Sequence, residues 1–195
     1  MSQAGPLEVK ITEEGKDSIK LSIKGIGVEL ANALRRAAIN SVETFAIDTV
    51  TFYENSSSMF DEYIAHRIGL VPIKTPKGFH KDDKIMFGIE SEGPKTVMSE
   101  ELKSEDKDVG VVYGNIPIIK LDKGQRLRVE CNAIMGNAKR HAKFQPGITS
   151  YDQENSIFKF YIESFGQMPP KEIIKRACDT LIEEMKDVSK VSKKL

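Results

Sequence analysis

Gly25-Ile26-Gly27-Val28-Glu29-Leu30 is the segment whose spacing comes nearest to chemistry. It follows an alternating apolar stretch and opens a helical one. Asp48 stands about 20 residues further on, nearly the pattern that cradles a dinucleotide pyrophosphate. Three features argue against that reading. Leu30 occupies the place where a third glycine lets helix and strand approach. The preceding strand has one polar face, whereas a nucleotide-binding first strand is buried on both. No further strand–helix units follow to build a parallel sheet. A glycine turn that leads the chain into a helix fits better. The rival, a nucleotide-binding oxidoreductase, predicts nicotinamide binding.

The carboxylates do not converge. Asp106 and Asp108 form an Asp-x-Asp pair inside a charged stretch without a glycine-framed turn. Asp61-Glu62, Asp82-Asp83, Glu100-Glu101 and Glu183-Glu184 are adjacent pairs, and adjacent side chains point different ways in a helix or strand. Solvated surface accounts for them. Ser164 lacks a G-x-S-x-G setting. Cys131 and Cys178 lie 47 positions apart, and His66, His80 and His141 show no ligand spacing to them. A structural zinc or iron–sulfur site needs about four clustered ligands. Two reduced, partly buried thiols are expected instead. His66 fits a structural or interface role better than that of a base.

Composition narrows the class. The 195 residues suit one domain or two small ones, with a core that needs no staples. Basic and acidic residues balance at 29 each, which gives no basic excess for gripping phosphates. The lysine-leaning tail, Lys186 to Leu195, reads as a solvated end, so no direct sequence-specific DNA binding is expected. No apolar run is long enough to span a bilayer and no secretory leader is visible, so a cytoplasmic location is expected.

The elements follow from periodicity. Leu7, Val9 and Ile11, then Ile19, Leu21 and Ile23, alternate with polar neighbours on either side of a turn at Glu13 to Asp17. That predicts a hairpin of half-buried strands. A helix is expected over Val28 to Val42, with Arg35 and Arg36 toward its polar edge. A strand at Phe45 to Glu54 should follow. Ser56 to Ser58 would then cap a short helix, Met59 to Ile68, ended by Gly69. Further strands are expected at Lys84 to Glu90, Gly110 to Tyr113, Ile116 to Leu121 and Arg126 to Ile134. Glu90 to Asp108 holds seven acidic and three basic residues and reads as a solvated loop. A strand at Ser156 to Ser164 and a helix from about Lys171 to Val188 complete the chain. Ile174, Ala177, Cys178, Leu181, Met185 and Val188 form that helix's apolar stripe. The fold class is α+β, the outer pieces forming one layer pair with a β-rich module inserted. The stripes on the two long helices serve either as internal core or as a face for another subunit.

Three segments carry a resemblance. Asn32-Ala33-Leu34-Arg35-Arg36-Ala37-Ala38-Ile39 resembles the Asn-Ala-Leu-Arg-Arg helix of the RNA polymerase alpha subunit and its archaeal and eukaryotic relatives. Glu62-Tyr63-Ile64-Ala65-His66-Arg67-Ile68-Gly69-Leu70-Val71-Pro72-Ile73 is similar to the Ala-His-Arg-Ile-Gly-Leu-(Ile/Val)-Pro signature of the archaeal D and eukaryotic third-largest subunits. His141-Ala142-Lys143-Phe144-Gln145-Pro146 is similar to their His-Ala-Lys-Trp-x-Pro motif, with Phe144 in place of the Trp. The resemblance covers Leu7 to about Val188.

It implies a discontinuous dimerisation domain, an antiparallel sheet with two packed helices, over residues 1–48 and 154–195, interrupted by a β-rich domain over 49–153. It implies a scaffold without catalytic residues that pairs with the small alpha-like subunit L. Small subunits N and P would join, and the second-largest and largest subunits would dock. Leu30, Leu34, Ala38, Ile174, Ala177, Leu181 and Met185 would face subunit L. A charge at Leu34 or Leu181 should then abolish pairing. Arg35, Arg36, His66, Arg67, Pro72, His141 and Lys143 would be contacts of a large subunit. Relatives carry a zinc site or an iron–sulfur domain. Here ten residues without cysteine separate Pro146 from Ile157, so neither cofactor is expected. A self-associating alpha-like homodimer is the remaining alternative.

Overall fold

The computed structural model describes residues 6–80 and 82–193. In chain order the elements are β1 (Glu8–Glu14), β2 (Ser18–Lys24), α1 (Val28–Asn40), β3 (Thr44–Asn55), α2 (Asp61–Gly69), β4 (Lys84–Glu92), β5 (Lys95–Met98), β6 (Lys103–Ser104), β7 (Pro117–Leu121), β8 (Arg126–Gly136), β9 (Gly147–Glu154), β10 (Ile157–Ser164) and α3 (Pro170–Ser192). Short 3-10 turns occupy Ser99–Glu101 and Ala142–Phe144. The fold is α+β with antiparallel sheets.

The chain divides into two compact units. The first comprises the described residues of Met1–Val42, Asn137–Lys139 and Gln145–Leu195; the second comprises Glu43–Gly136 and Arg140–Phe144. The expected boundaries near 48/49 and 153/154 fall elsewhere by this division. β3 pairs along its whole length with β8, so it belongs entire to the second unit. β9, which the sequence reading placed in the insert, pairs with β10 from Gly147 to Glu154 and belongs to the first.

The first unit is a four-stranded antiparallel sheet, β1-β2-β10-β9, carrying α1 and α3. Alternation along β2 buries Ile19, Leu21 and Ile23, and along β10 it buries Phe158, Phe160 and Ile162. Ala31, Leu34, Ala37 and Ala38 of α1 and Ile173 and Ala177 of α3 complete this core. Small residues at the helix contact let backbones approach closely. β9 and β10 meet at Asn155 and Ser156, both with positive φ, as a two-residue hairpin turn of matching twist requires. β1 departs from expectation. It is exposed throughout, not half-buried, because α1 packs chiefly on β9 and α3 on β10 and β2.

The second unit has a sheet ordered β3-β8-β4-β6 and a separate β5-β7 pair. Phe45, Phe87, Leu127, Val129 and Cys131 fill its core with Ile64 and Ile68 of α2. The acidic stretch is not a plain loop: it holds β5, a 3-10 turn and β6, because Val97 and Leu102 drop into the core. Gly110 to Tyr113 forms no strand, only a bridge between Ile73 and Val111. The serines do not cap α2. Phe60 stands at its cap, and Ser57 instead donates to Asn55 Oδ1, whose amide holds Asp61. Gly69 is the last helical residue, with Leu70 as a right-handed cap, so no left-handed glycine ends the helix.

Gly147 sits where a Cβ would collide with the Glu163 carbonyl of the neighbouring strand. Backbone cannot yield as a side chain can. Gly147→Ala should therefore cost about 1–3 kcal/mol, read as a lower urea midpoint. Gly110→Ala, with open space around it, should leave the midpoint unchanged.

Candidate functional site

The first unit exposes apolar side chains in two rows. Along α3, Ile173 and Ala177 face the unit's own core. The next row, Ile174, Cys178, Leu181, Met185 and Val188, recurs at i, i+4, i+7, i+11 and i+14. Ile174 and Leu181 are half-buried against the core, whereas Ile182, Met185, Val188 and Val191 are exposed. From Ile182 onward the helix buries nothing in its own unit, yet an apolar residue recurs on every turn. The second row is on β1. Val9 and Ile11 are directly opposite Ile23 and Leu21. Opposed residues of an antiparallel pair share a face, so Val9 and Ile11 sit on the helix-bearing side of the sheet, uncovered at 58% and 51% exposure. Val28 and Leu30 of α1 are exposed as well.

This sorts the predicted interface residues. Leu30 and Met185 are exposed, and Ile174 and Leu181 are half-buried. Leu34, Ala38 and Ala177 are each buried in the unit's own core, because the sheet takes the inner half of each stripe. Ile182 and Val191 were missed. They lie just off the predicted stripe, and the signal was their recurrence with Met185 and Val188 past the last buried turn.

In the second unit the second and third motifs converge. His66, Ala65, Gly69 and Leu70 of the α2 segment and His141 and Lys143 line one groove of about 380 Å³, with Ile47, Asp48, Val50 and Glu62. Its floor is an ion cluster. Lys143 Nζ donates to Asp48 Oδ1 at 2.8 Å and to the Ile47 carbonyl at 2.9 Å. Arg140 Nη2 reaches Asp48 Oδ2 at 2.9 Å. Both cations lie within 6 Å of the Phe144 ring centre, at 5.8 Å for Arg140 and 5.2 Å for Lys143. The hydrogen bond from Lys143 holds the Asp48 carboxyl below the usual carboxylate range, against the opposing effect of burial and with help from the charges of Lys143 and Arg140. His141 Nδ1 accepts from the Lys143 backbone N–H at 3.0 Å.

The other predicted contact residues differ in availability. Arg67 is exposed, but its guanidinium donates to the backbone carbonyls of Pro117 and Ile118, which makes it a brace between α2 and β7. Lys143 is likewise committed inward, with 13% of its side chain exposed. Pro72 is half-buried, and its carbonyl accepts from Val112. His66 and His141 are exposed at the groove. Arg35 and Arg36 belong to the first unit. Arg35 donates to Asn32 Oδ1, and Arg36 is exposed. Phe60 and Tyr63, exposed at the start of α2 with ring centres 6.3 Å apart, were not picked out as contacts. An aromatic pair in water is the type of anchor that protein interfaces use.

The remaining chemistry is quiet. Gly25 has a positive φ and Gly27 caps α1, as a turn into a helix requires. The sheet containing β2 is antiparallel throughout, so this turn lies outside any parallel β-α-β unit. Cys131 is fully buried, its thiol pushed up to about 12 by desolvation; Cys178 is exposed. Among the described residues no group of three His, Cys, Asp or Glu could hold a metal ion. No described helix is long and apolar enough to cross a membrane. Lys194 and Leu195 of the expected basic tail lie outside the described residues.

A family model described as the RNA polymerase Rpb3/Rpb11 dimerisation domain matches residues 20–185. The DNA-directed RNA polymerase subunit Rpo3 of Methanocaldococcus jannaschii is 47% identical over 175 residues, 89% of this chain and 87% of that protein. Its counterpart in Pyrococcus furiosus is 48% identical over 152 residues, 74% of this chain, which spans only 58% of that relative. The Halobacterium salinarum subunit is 31% identical over 231 aligned positions, 90% of this chain and 93% of its own.

The Asp48 cluster gives a pH test. A lowered carboxyl stabilises the ionised fold, so its contribution is present at neutral pH and lost as pH falls through that lowered range. Asp48→Asn should cost about 1–2 kcal/mol at neutral pH. The difference should close in acid strong enough to protonate Asp48. Urea midpoints of both proteins across that pH range check it.

Proposed function

The chain belongs to the RNA polymerase Rpb3/Rpb11 dimerisation-domain family, and from that premise we propose that it is the assembly-platform subunit of a DNA-directed RNA polymerase. It holds other subunits in place in the cytoplasm and contributes no catalytic group or cofactor. The observation that carries this is the uncovered apolar surface of the first unit: Leu30, Ile182, Met185, Val188 and Val191 with Val9 and Ile11. Scattered exposed apolar residues need no explanation, but four on successive turns of one helix, with two more on one face of β1, do. Covering such a surface with a like-folded partner, the small alpha-like subunit L, gives a pseudo-two-fold heterodimer. Obligate interfaces of this type commonly bury over ~2,000 Å².

The second unit supports the docking of larger partners. Its groove joins His66 and His141, both open to solvent, above a neutralised ion cluster, and Phe60 and Tyr63 stand beside Glu62 on the same helix. Small subunits N and P and the two large subunits are the partners this reading assigns. The second-largest subunit faces His66, His141 and the α2 aromatics; Arg36 is a separate contact candidate on the first unit.

Native mass spectrometry of the chain, alone and co-expressed with its small alpha-like subunit, tests the scaffold role. A one-to-one heterodimer is expected. A lone monomer indifferent to that partner, or a homodimer, overturns it. Met185→Asp should abolish the heterodimer while leaving the far-ultraviolet circular dichroism of the chain unchanged, since Met185 is exposed. Leu34→Asp should instead unfold the first unit, because it strands a charge in a closed core.

A further inference from the structure

Arg67 follows His66 on α2 but does not line the groove. Its guanidinium turns to β7 instead. Nε donates to the Ile118 carbonyl at 2.8 Å, and Nη2 donates to the Pro117 carbonyl beside it. In a regular strand two successive carbonyls point to opposite edges, and one guanidinium cannot take both. β7 is not regular here. Val97 pairs with Ile119 and Met98 with Pro117, which leaves Ile118 as the extra residue of a β-bulge. Its mark is that Ile118 and Ile119, adjacent in sequence, are both buried. Proline is tolerated at such a place because it has no ladder donor to lose. The bulge turns two carbonyls to one side, and the planar fork of an arginine fits two acceptors set that way.

α2 needs such a hold. It has nine residues, too few to be stable alone, and no side chain caps its first turn. It rests on its unit through one row, Ile64 and Ile68, both fully buried. A short helix on a single row can roll about that row. At about 100° per residue, Arg67 falls on one flank of the row and Ala65, with Gly69, on the other. Ala65, His66 and Gly69 line the groove together with His141 and Lys143. The Lys143 side is fixed already, since its ammonium is bound to Asp48 and to the Ile47 carbonyl. The roll of α2 therefore sets the shape of the groove, and the Arg67 fork fixes that roll from the opposite flank.

We infer that Arg67 is the positioning residue of the docking groove. Seated in the β7 bulge, it holds α2 at the angle that presents His66 to the large subunit, and it does not touch that subunit itself. The inference rests on the docking role proposed above. It deepens that role by separating the side chains that make contact from the one that aims them.

Amide hydrogen exchange of the full chain, co-expressed with its small partner, reads the hold. Arg67→Met should speed exchange across α2 at least ~10-fold, the contribution of a hydrogen bond from a charged donor, and leave β8 of the same unit as protected as before. Arg67→Lys, a point charge without the fork, should fall between the two, and it carries the same comparisons if Arg67→Met fails to fold. Unchanged exchange in α2, or equal acceleration in β8, overturns the inference. Binding of the second-largest subunit to the same preparations reads the aim. Arg67→Met should weaken it at least ~10-fold. That loss should shrink when His66 is already alanine, because little is then left to aim. A loss that simply adds to that of His66→Ala makes Arg67 a contact and overturns the inference, as does undiminished binding. If His66→Ala binds like the unaltered chain, the docking reading itself fails at this groove, and the inference with it.

Discussion

The first unit depends on the pairing of β2 with β10. Lys24 stands opposite Ile157 and Ser18 opposite Glu163, so strands over a hundred residues apart form the middle of the sheet. Their apolar rows, Ile19-Leu21-Ile23 and Phe158-Phe160-Ile162, make the floor on which both long helices rest. Without that floor α1 has only alanines and Leu34 to bury, and an isolated helix of that length is marginal in water. The loss of loop-closure entropy is tolerable because it grows only slowly with the length enclosed. It is offset by three large aromatic and aliphatic side chains on each strand. The helices do not cover this sheet to its β1 edge.

Much of the fold was legible. Period two located β2 and β10, and period 3.6 located α1 and α3, because each buries a single face. The misses have physical causes. β9 reads Gly-Ile-Thr-Ser-Tyr-Asp-Gln-Glu, with Ile148 outward and Gly147 and Thr149 inward, so its pattern runs against the usual alternation. β5 and β6 are hidden by acidic neighbours that hold only the solvent side. β1 was legible as a strand but not as an uncovered one, since sequence shows that a face is apolar and not what lies over it.

The candidate sites divide in the same way. The second and third motifs located the groove, and His66 and His141 meet there although 75 positions separate them. Asp48, which ties Lys143 and Arg140 together, stands out in the sequence only by its spacing from the glycine turn. Its role depends on a segment far along the chain, which no local pattern reveals. The apolar stripes were visible, but the split between core and surface was not: Ala177 and Cys178 are adjacent, one fully buried and one exposed.

The way β10 and α3 close the sheet bears on the order of events at the ribosome. The second unit is almost contiguous, from Glu43 to Gly136, and its sheet is complete as soon as that stretch has emerged. The first unit is begun early and finished late. β2 and α1 wait for β10 while more than a hundred residues are made, on the order of ten seconds at usual elongation rates. Throughout that interval the inner face of α1 is uncovered as well as the outer one. A nascent chain of this design therefore exposes its greatest apolar area just before β10 emerges. Ready-made partner held nearby, or a chaperone, would find its target during that interval.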